Sequence, residues 1–234
     1  MRHRGALTVG PLLCAVLFAH VPSVRAGDDG DEKREVVSID QESSEHGLKG
    51  CQHSGFPIQI CHSGRYQLTS NLTVAAFDVD AIQIFADHVT LDLNGFTISG
   101  PWTATSSHFF GTGVYSPNSN LSIHNGTVTG FPQGIFVKGS AESVERVTIT
   151  GNNYGIDSWG DSTFVDHVTA TKNTYGGIVL YGSGMIIDSM TMSNGFGILI
   201  GDSGGYGGNT IIANATDVIG GRSMGTNAFS SGKC

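Results

Sequence analysis

Three carboxylates, Glu145, Asp166 and Asp188, are spaced for chemistry, following one another at intervals of 21 and 22 residues. If each interval is one turn of a regular structure with strand spacing, neighbouring carboxylates stand about 5 Å apart and the outer two about 10 Å. Such a column suits two tasks. Its oxygens could bind Ca²⁺, with Asp166 and Asp188 as ligands. Two carboxyls roughly 5 to 9.5 Å apart also form the catalytic pair of a glycosidase. Asp157 and Asp161 are expected on the same side. Arg146 and His167 adjoin the column and either neutralise it or, for His167, supply a general base. The competing reading is structural, because Asp at a bend accepts backbone N–H groups and any in-register repeat stacks whatever sits there.

The second set is aromatic. Trp102, His108, Phe109 and Phe110 fall in one stretch, and Tyr115, Phe136 and Trp159 recur shortly after repeated Gly-x pairs. Aromatic rings facing outward from a sheet hold sugar rings face against face, so Trp102, Tyr115, Phe136 and Trp159 are the expected ligand-binding set. The alternative is that the Phe pair covers part of the core. No Ser/His/Asp order, Cys/His nucleophile, phosphate-cradling loop or zinc spacing stands out. Asn71, Asn120, Asn125 and Asn214 head Asn-x-Ser/Thr glycosylation triplets, among which chance matches are expected in an Asn- and Thr-rich chain.

What positions these residues is internal repetition. Gly113-Val114, Gly134-Ile135, Gly155-Ile156, Gly177-Ile178 and Gly197-Ile198 recur in steps of 21, 21, 22 and 20 residues. Asn152, Asn173, Asn194 and Asn214 keep the same period, as do Tyr154, Tyr175 and Phe196. Within each repeat the apolar spacing is two, as in Val147-Thr148-Ile149 and Val168-Thr169-Ala170, which marks strands. A repeat of about 21 residues is too short for a crossover helix, so successive coils must stack parallel and in register. The sequence therefore predicts an all-β fold, a right-handed parallel β-helix of six to seven coils with end caps. The Asn residues form a buried ladder bonding from coil to coil, the aromatics form a packing ladder, and Gly supplies freedom at the bend. From Ile82 to Val114 is 32 residues, and the surplus near Pro101 to Phe110 projects as a loop.

The rest of the chain bounds the setting. Residues 1–26 read as a secretory signal, with Arg2, His3 and Arg4 before an apolar stretch too short to span a bilayer. Residues 27–50, rich in Asp and Glu, read as a disordered acidic leader. Residues 51–234 are the β-helix domain, with Cys51 to Leu72 capping one end and Ala215 to Cys234 the other. A net charge of −8 argues against a nucleic-acid partner. Secretion permits disulfides. Cys51 and Cys61 bracket a short loop and are the expected pair, leaving Cys234 as a free thiol, an interchain link or an alternative partner of either.

The stretch Asp87-His88-Val89-Thr90-Leu91-Asp92-Leu93-Asn94-Gly95-Phe96-Thr97-Ile98-Ser99-Gly100 resembles the secreted β-helix repeat proteins of the pectin-lyase-like superfamily, and Gly55 to Leu68 resembles their entry segment. The resemblance implies the architecture from about Cys51 onward and leaves activity open, because the group spans lyases, hydrolases, epimerases and adhesins. The Asn-Thr-Asp, Asp-Asp and Gly-His-Gly pattern of polygalacturonases is absent, as is the Asp-Pro-His-Asp signature of mannuronan epimerases. Phe164-Val165-Asp166-His167 echoes a pectate-lyase strand without the Pro-x-x-Arg segment that supplies its arginine. Three functions follow as expectations. The first is a secreted protein, extracellular or periplasmic, that binds polysaccharide or another surface ligand along one face and needs no cofactor. The second is a polysaccharide lyase or glycoside hydrolase using Glu145, Asp166 and Asp188, with or without calcium. The third is a structural or adhesive module.

Overall fold

The computed structural model describes residues 35–51 and 53–230. They form a parallel β-solenoid with three strand faces per coil. The first face is a sheet of eight strands running from Ile58–Ile60 to Thr216–Ile219. The second runs from Val36–Ile39 to Arg222–Ser223, and the third from Leu72–Thr73 to Ala228–Phe229. The second and third merge through the long strands Leu121–Thr129 and Ser143–Thr150 into one 15-stranded sheet.

The period seen in the sequence is the register of the sheets. Ile82, Val114, Ile135, Ile156, Ile178 and Ile198 pair in succession and are fully buried, one apolar column filling the interior. Gly precedes most of them for a reason other than bend freedom. A Cβ on Gly155 would collide with the carbonyl of Gly177 and the side-chain amide of Asn173, so the position needs the smallest residue because coils approach closely there. True left-handed backbone sits at the corners instead. Asn125, Arg146, His167 and Asp188, with φ of 60°, 52°, 52° and 46°, turn each coil from the second face to the third.

The Asn ladder forms as expected. Asn173 Oδ1 accepts the Asn152 backbone N–H (3.1 Å) and one Asn152 Nδ2–H (3.2 Å), while Asn173 Nδ2 donates to the Ile149 carbonyl (3.1 Å) and to Asn194 Oδ1 (3.0 Å). All four asparagines are buried, and these bonds satisfy a turn that water does not reach. A second ladder lies at the other corner: Ser189 N–H donates to Asn209 Oδ1 (2.9 Å) and Asn209 N–H to Asn227 Oδ1 (3.0 Å). In earlier coils Val147 and Val168 occupy that position and pack as core.

Four expectations are corrected. The first sheet counts eight strands, hence eight coils rather than six or seven. Ile58–Ile60 pairs with Ile82–Ile84 as a regular coil, so the segment from Cys51 is no separate cap. Residues 35–50 are ordered rather than a disordered leader: Val36–Ile39 pairs with Gly64–Leu68, and Ile39 is fully buried, because the Val-Val-Ser-Ile alternation outweighs the flanking charge. At the other end Thr216–Ile219, Arg222–Ser223 and Ala228–Phe229 continue the three faces instead of covering them. The Cys51–Cys61 disulfide is present. The expected signal segment (residues 1–26), residues 27–34 and Cys234 lie outside the described residues. Among the described residues no helix is long and apolar enough to cross a membrane.

Candidate functional site

The outer surface of the eight-stranded sheet carries the most organised set of side chains. Tyr115 and Phe136 are register partners with ring centroids 5.6 Å apart. Trp159 meets Phe136 edge-on at 5.4 Å, and Tyr181, one coil further, meets Trp159 at 6.2 Å. Four rings thus follow one another over consecutive coils along the solenoid axis. Trp159 is 57% exposed and Tyr181 50%, although large apolar surface is normally withdrawn from water. Lys138 extends over this row, with Nζ 5.7, 4.9 and 5.3 Å from the Tyr115, Phe136 and Trp159 centroids, a cation–π arrangement that holds the amine on the ring faces. Beside it opens a cleft of about 490 Å³ lined by Tyr115, Gln133, Phe136, Lys138, Phe109 and Phe110.

Asp157 lies within this aromatic face. It continues the Tyr115 and Phe136 column by register, yet it is only 3% exposed because neighbouring side chains close over it. Gln133 Nε2 donates to one carboxylate oxygen (2.8 Å) and Trp159 Nε1 to the other (3.1 Å). Burial raises its pKa, against the opposing pull of Gln133, Trp159 and the Lys138 charge. The same crowding pushes Tyr154 up to about 12, through burial first and then the charges of Tyr181, Tyr175 and Asp157. Tyr154, Tyr175 and Phe196 form a second row, at 4.5 and 5.2 Å, tilted and edge-on rather than stacked flat. The indole bond fixes the Trp159 ring, so Asp157 positions an exposed aromatic surface.

Of the four aromatics expected to bind a ligand, Tyr115, Phe136 and Trp159 come together and Trp102 does not. Trp102 is 7% exposed, with Nε1 donating to the His108 carbonyl (3.0 Å) at the base of the projecting loop. It secures that loop while Phe109 and Phe110 point into solvent. Lys138, Tyr181, Gln133 and the role of Asp157 were not read from the sequence. Tyr181 was within reach, since it follows Trp159 by 22 residues, the repeat period.

The acidic column assembles only in part. Glu145 and Asp166 are register partners, but Asp166 faces Ile187, and Asp188 falls one residue later, in the corner row of Asn125, Arg146 and His167. The 22-residue step carries it past the column. Each charge is answered locally: Glu145 accepts from Ser143 (2.6 Å) and Arg146 (3.3 Å), and Asp166 pairs with His167 (2.5 Å). One ligand atom each from Asp166, His167 and Asp188 lies within 4.8 Å of the others, so these three could hold a divalent cation, with Glu145 outside the group. Asp161 instead binds the Ser183 backbone and hydroxyl, the structural role open to an Asp at a bend.

Glu142 was not singled out in the sequence. It occupies in its coil the inward place that Leu121 occupies in the one before, is 2% exposed, and neither carboxylate oxygen has a hydrogen-bond partner. Burial pushes its pKa up to about 7. The side chain lies against Gly139, in the turn that follows Lys138.

No known protein family, curated protein or solved structure matches the chain.

Proposed function

We propose that this is a secreted β-helix protein, akin to the pectin-lyase-like superfamily, whose eight-stranded sheet binds a polysaccharide along its outer face. The observation that carries the reading is the row Tyr115, Phe136, Trp159 and Tyr181, running along the axis beside an open cleft. A polymer laid parallel to the axis meets one ring per coil and so gains contact by length, and ring faces suit the apolar faces of sugars. Gln133 and Lys138 supply hydrogen-bond donors at the cleft. Calcium and other cofactors have no part in this reading.

The test is a screen of the mature protein against neutral and acidic polysaccharides, with and without Ca²⁺, reading binding, ultraviolet-absorbing unsaturated ends and reducing ends together. Binding that the Trp159→Ala variant loses supports the proposal, and binding that survives Trp159→Ala with Tyr181→Ala refutes it. A second reading, a cleaving enzyme, is favoured by the convergence of Asp166, His167 and Asp188. It requires new unsaturated or reducing ends that disappear in Asp166→Ala.

A further inference from the structure

The fold sorts the four Asn-x-Ser/Thr triplets into two kinds. Asn214 is buried within the ladder: its Nδ2 donates to the Thr191 carbonyl and to Asp217 (both 3.2 Å), and its Oδ1 takes two bonds from Asn194 (both 3.0 Å). Asn125 is half-buried, its Nδ2 donating to Asp92 (3.3 Å) and its Oδ1 accepting from Arg146 Nε (3.0 Å). A sugar on either amide nitrogen would displace these partners. Asn120 differs. It is exposed on a corner with φ of 60°, its backbone N–H bonds the Ser140 carbonyl (3.0 Å), and its side-chain amide makes no hydrogen bond among the described residues. Asn71 is also exposed and uses only Oδ1, which accepts the Thr97 N–H (2.9 Å). An N-linked sugar keeps that carbonyl, so the bond survives modification.

We propose that Asn71 and Asn120 are N-glycosylation sites, with Thr73 and Ser122 completing their triplets, and that Asn125 and Asn214 stay unmodified in the folded protein. The donor is an oligosaccharide on a lipid pyrophosphate. The bond from its anomeric carbon to the phosphate oxygen breaks, a bond from that carbon to Asn Nδ2 forms, and one Nδ2 proton passes to a base of the transferase. The pyrophosphate leaves and no oxidation occurs. The inference rests on the reading of residues 1–26 as a secretory leader.

The full chain is expressed in a eukaryotic secretory host, behind its own leader and behind a foreign one. The folded secreted product is treated with peptide-N-glycosidase, which converts each glycosylated Asn to Asp, and mapped by peptide mass. The expected result is Asp at 71 and 120 only, with Ser122→Ala removing one glycan and Thr73→Ala the other. These two variants leave the asparagines and their bonds in place. An unmodified Asn71 or Asn120 overturns that site, and a glycan at Asn125 or Asn214 overturns the sorting argument. Glycans seen only behind the foreign leader uphold the sites and remove the leader reading.

Discussion

The outer face of the eight-stranded sheet and the acidic corner of the 15-stranded sheet both repeat once per coil, and they use the repeat differently. On the aromatic face, Gln133 from the preceding coil and Trp159 from its own coil both donate to the Asp157 carboxylate, and the Tyr181 ring of the next coil meets Trp159 edge-on. At the acidic corner, Glu145 and Asp166 each pair with the residue that follows them in the chain. The first arrangement exists only when the solenoid is assembled and presents exposed rings held in place from below. The second is a row of local pairs at a solvated edge, where ion pairs contribute little. Stacking alone therefore does not make a site. Convergence of different coils on one buried group does.

The largest expected effect comes from the turn that follows Lys138. Glu142 has a folded-state pKa raised from 4.5 to about 7, so the folded protein holds its proton more tightly than the unfolded chain. The stability this proton provides is complete below pH 4.5 and is lost as the pH rises towards 7, at about 1.4 kcal/mol per pH unit and about 3 kcal/mol in all. Among the described residues no cation is set against it: Lys138 lies on the rings and Arg146 is bound to Glu145. Denaturant titrations from pH 4 to pH 8 are expected to show Glu142→Gln gaining on the wild type across that window, and a constant difference would refute the assignment.

Next come the rings. Trp159→Ala combined with Tyr181→Ala should weaken polysaccharide binding by roughly thirtyfold, about 2 kcal/mol, measured by calorimetry at fixed pH. The corresponding triple change at Glu145, Asp166 and Asp188 should leave binding unaltered. A reversal of that order would move the site to the acidic corner. Asp157→Ala deprives Trp159 Nε1 and Gln133 of their acceptor and should cost about tenfold in binding with the rings intact. No loss would mean that the indole holds its position without the carboxylate. The smallest effect is expected for Asp166→Asn, below about 0.5 kcal/mol in unfolding free energy, as for other surface pairs. A larger loss would mark the Asp166 and His167 pair as more than a solvated contact.

The architecture was legible because a solenoid writes its register into sequence period. Asn152, Asn173 and Asn194 share one chemistry at one spacing, so the ladder could be read directly. The companion ladder could not, since its position holds Val147 and Val168 before Ser189 and Asn209, and changes from core to polar along the chain. Period also misled. A 22-residue step moved Asp188 out of the carboxylate column, because an extra residue in a coil shifts a side chain to the next row. Trp102 looked like the other exposed aromatics, and only the loop's return to bring the His108 carbonyl to its indole shows it as an anchor. Glu142 reads as an ordinary surface acid within Ala141-Glu142-Ser143. Its burial is set by the neighbouring coils, which the local sequence does not contain.

The corner residues carry a consequence for how such a molecule can change. Gly151 and Lys172, 21 residues apart, hold the same left-handed conformation, each followed by a ladder asparagine. Joining Gly151 directly to Asn173 would excise one coil, with Tyr154, Asp157 and Trp159, and leave every remaining rung facing an equivalent neighbour. The protein is in this sense a ruler whose graduations can be removed or duplicated by in-frame recombination, so that the length of its faces varies in whole coils while the cross-section stays constant.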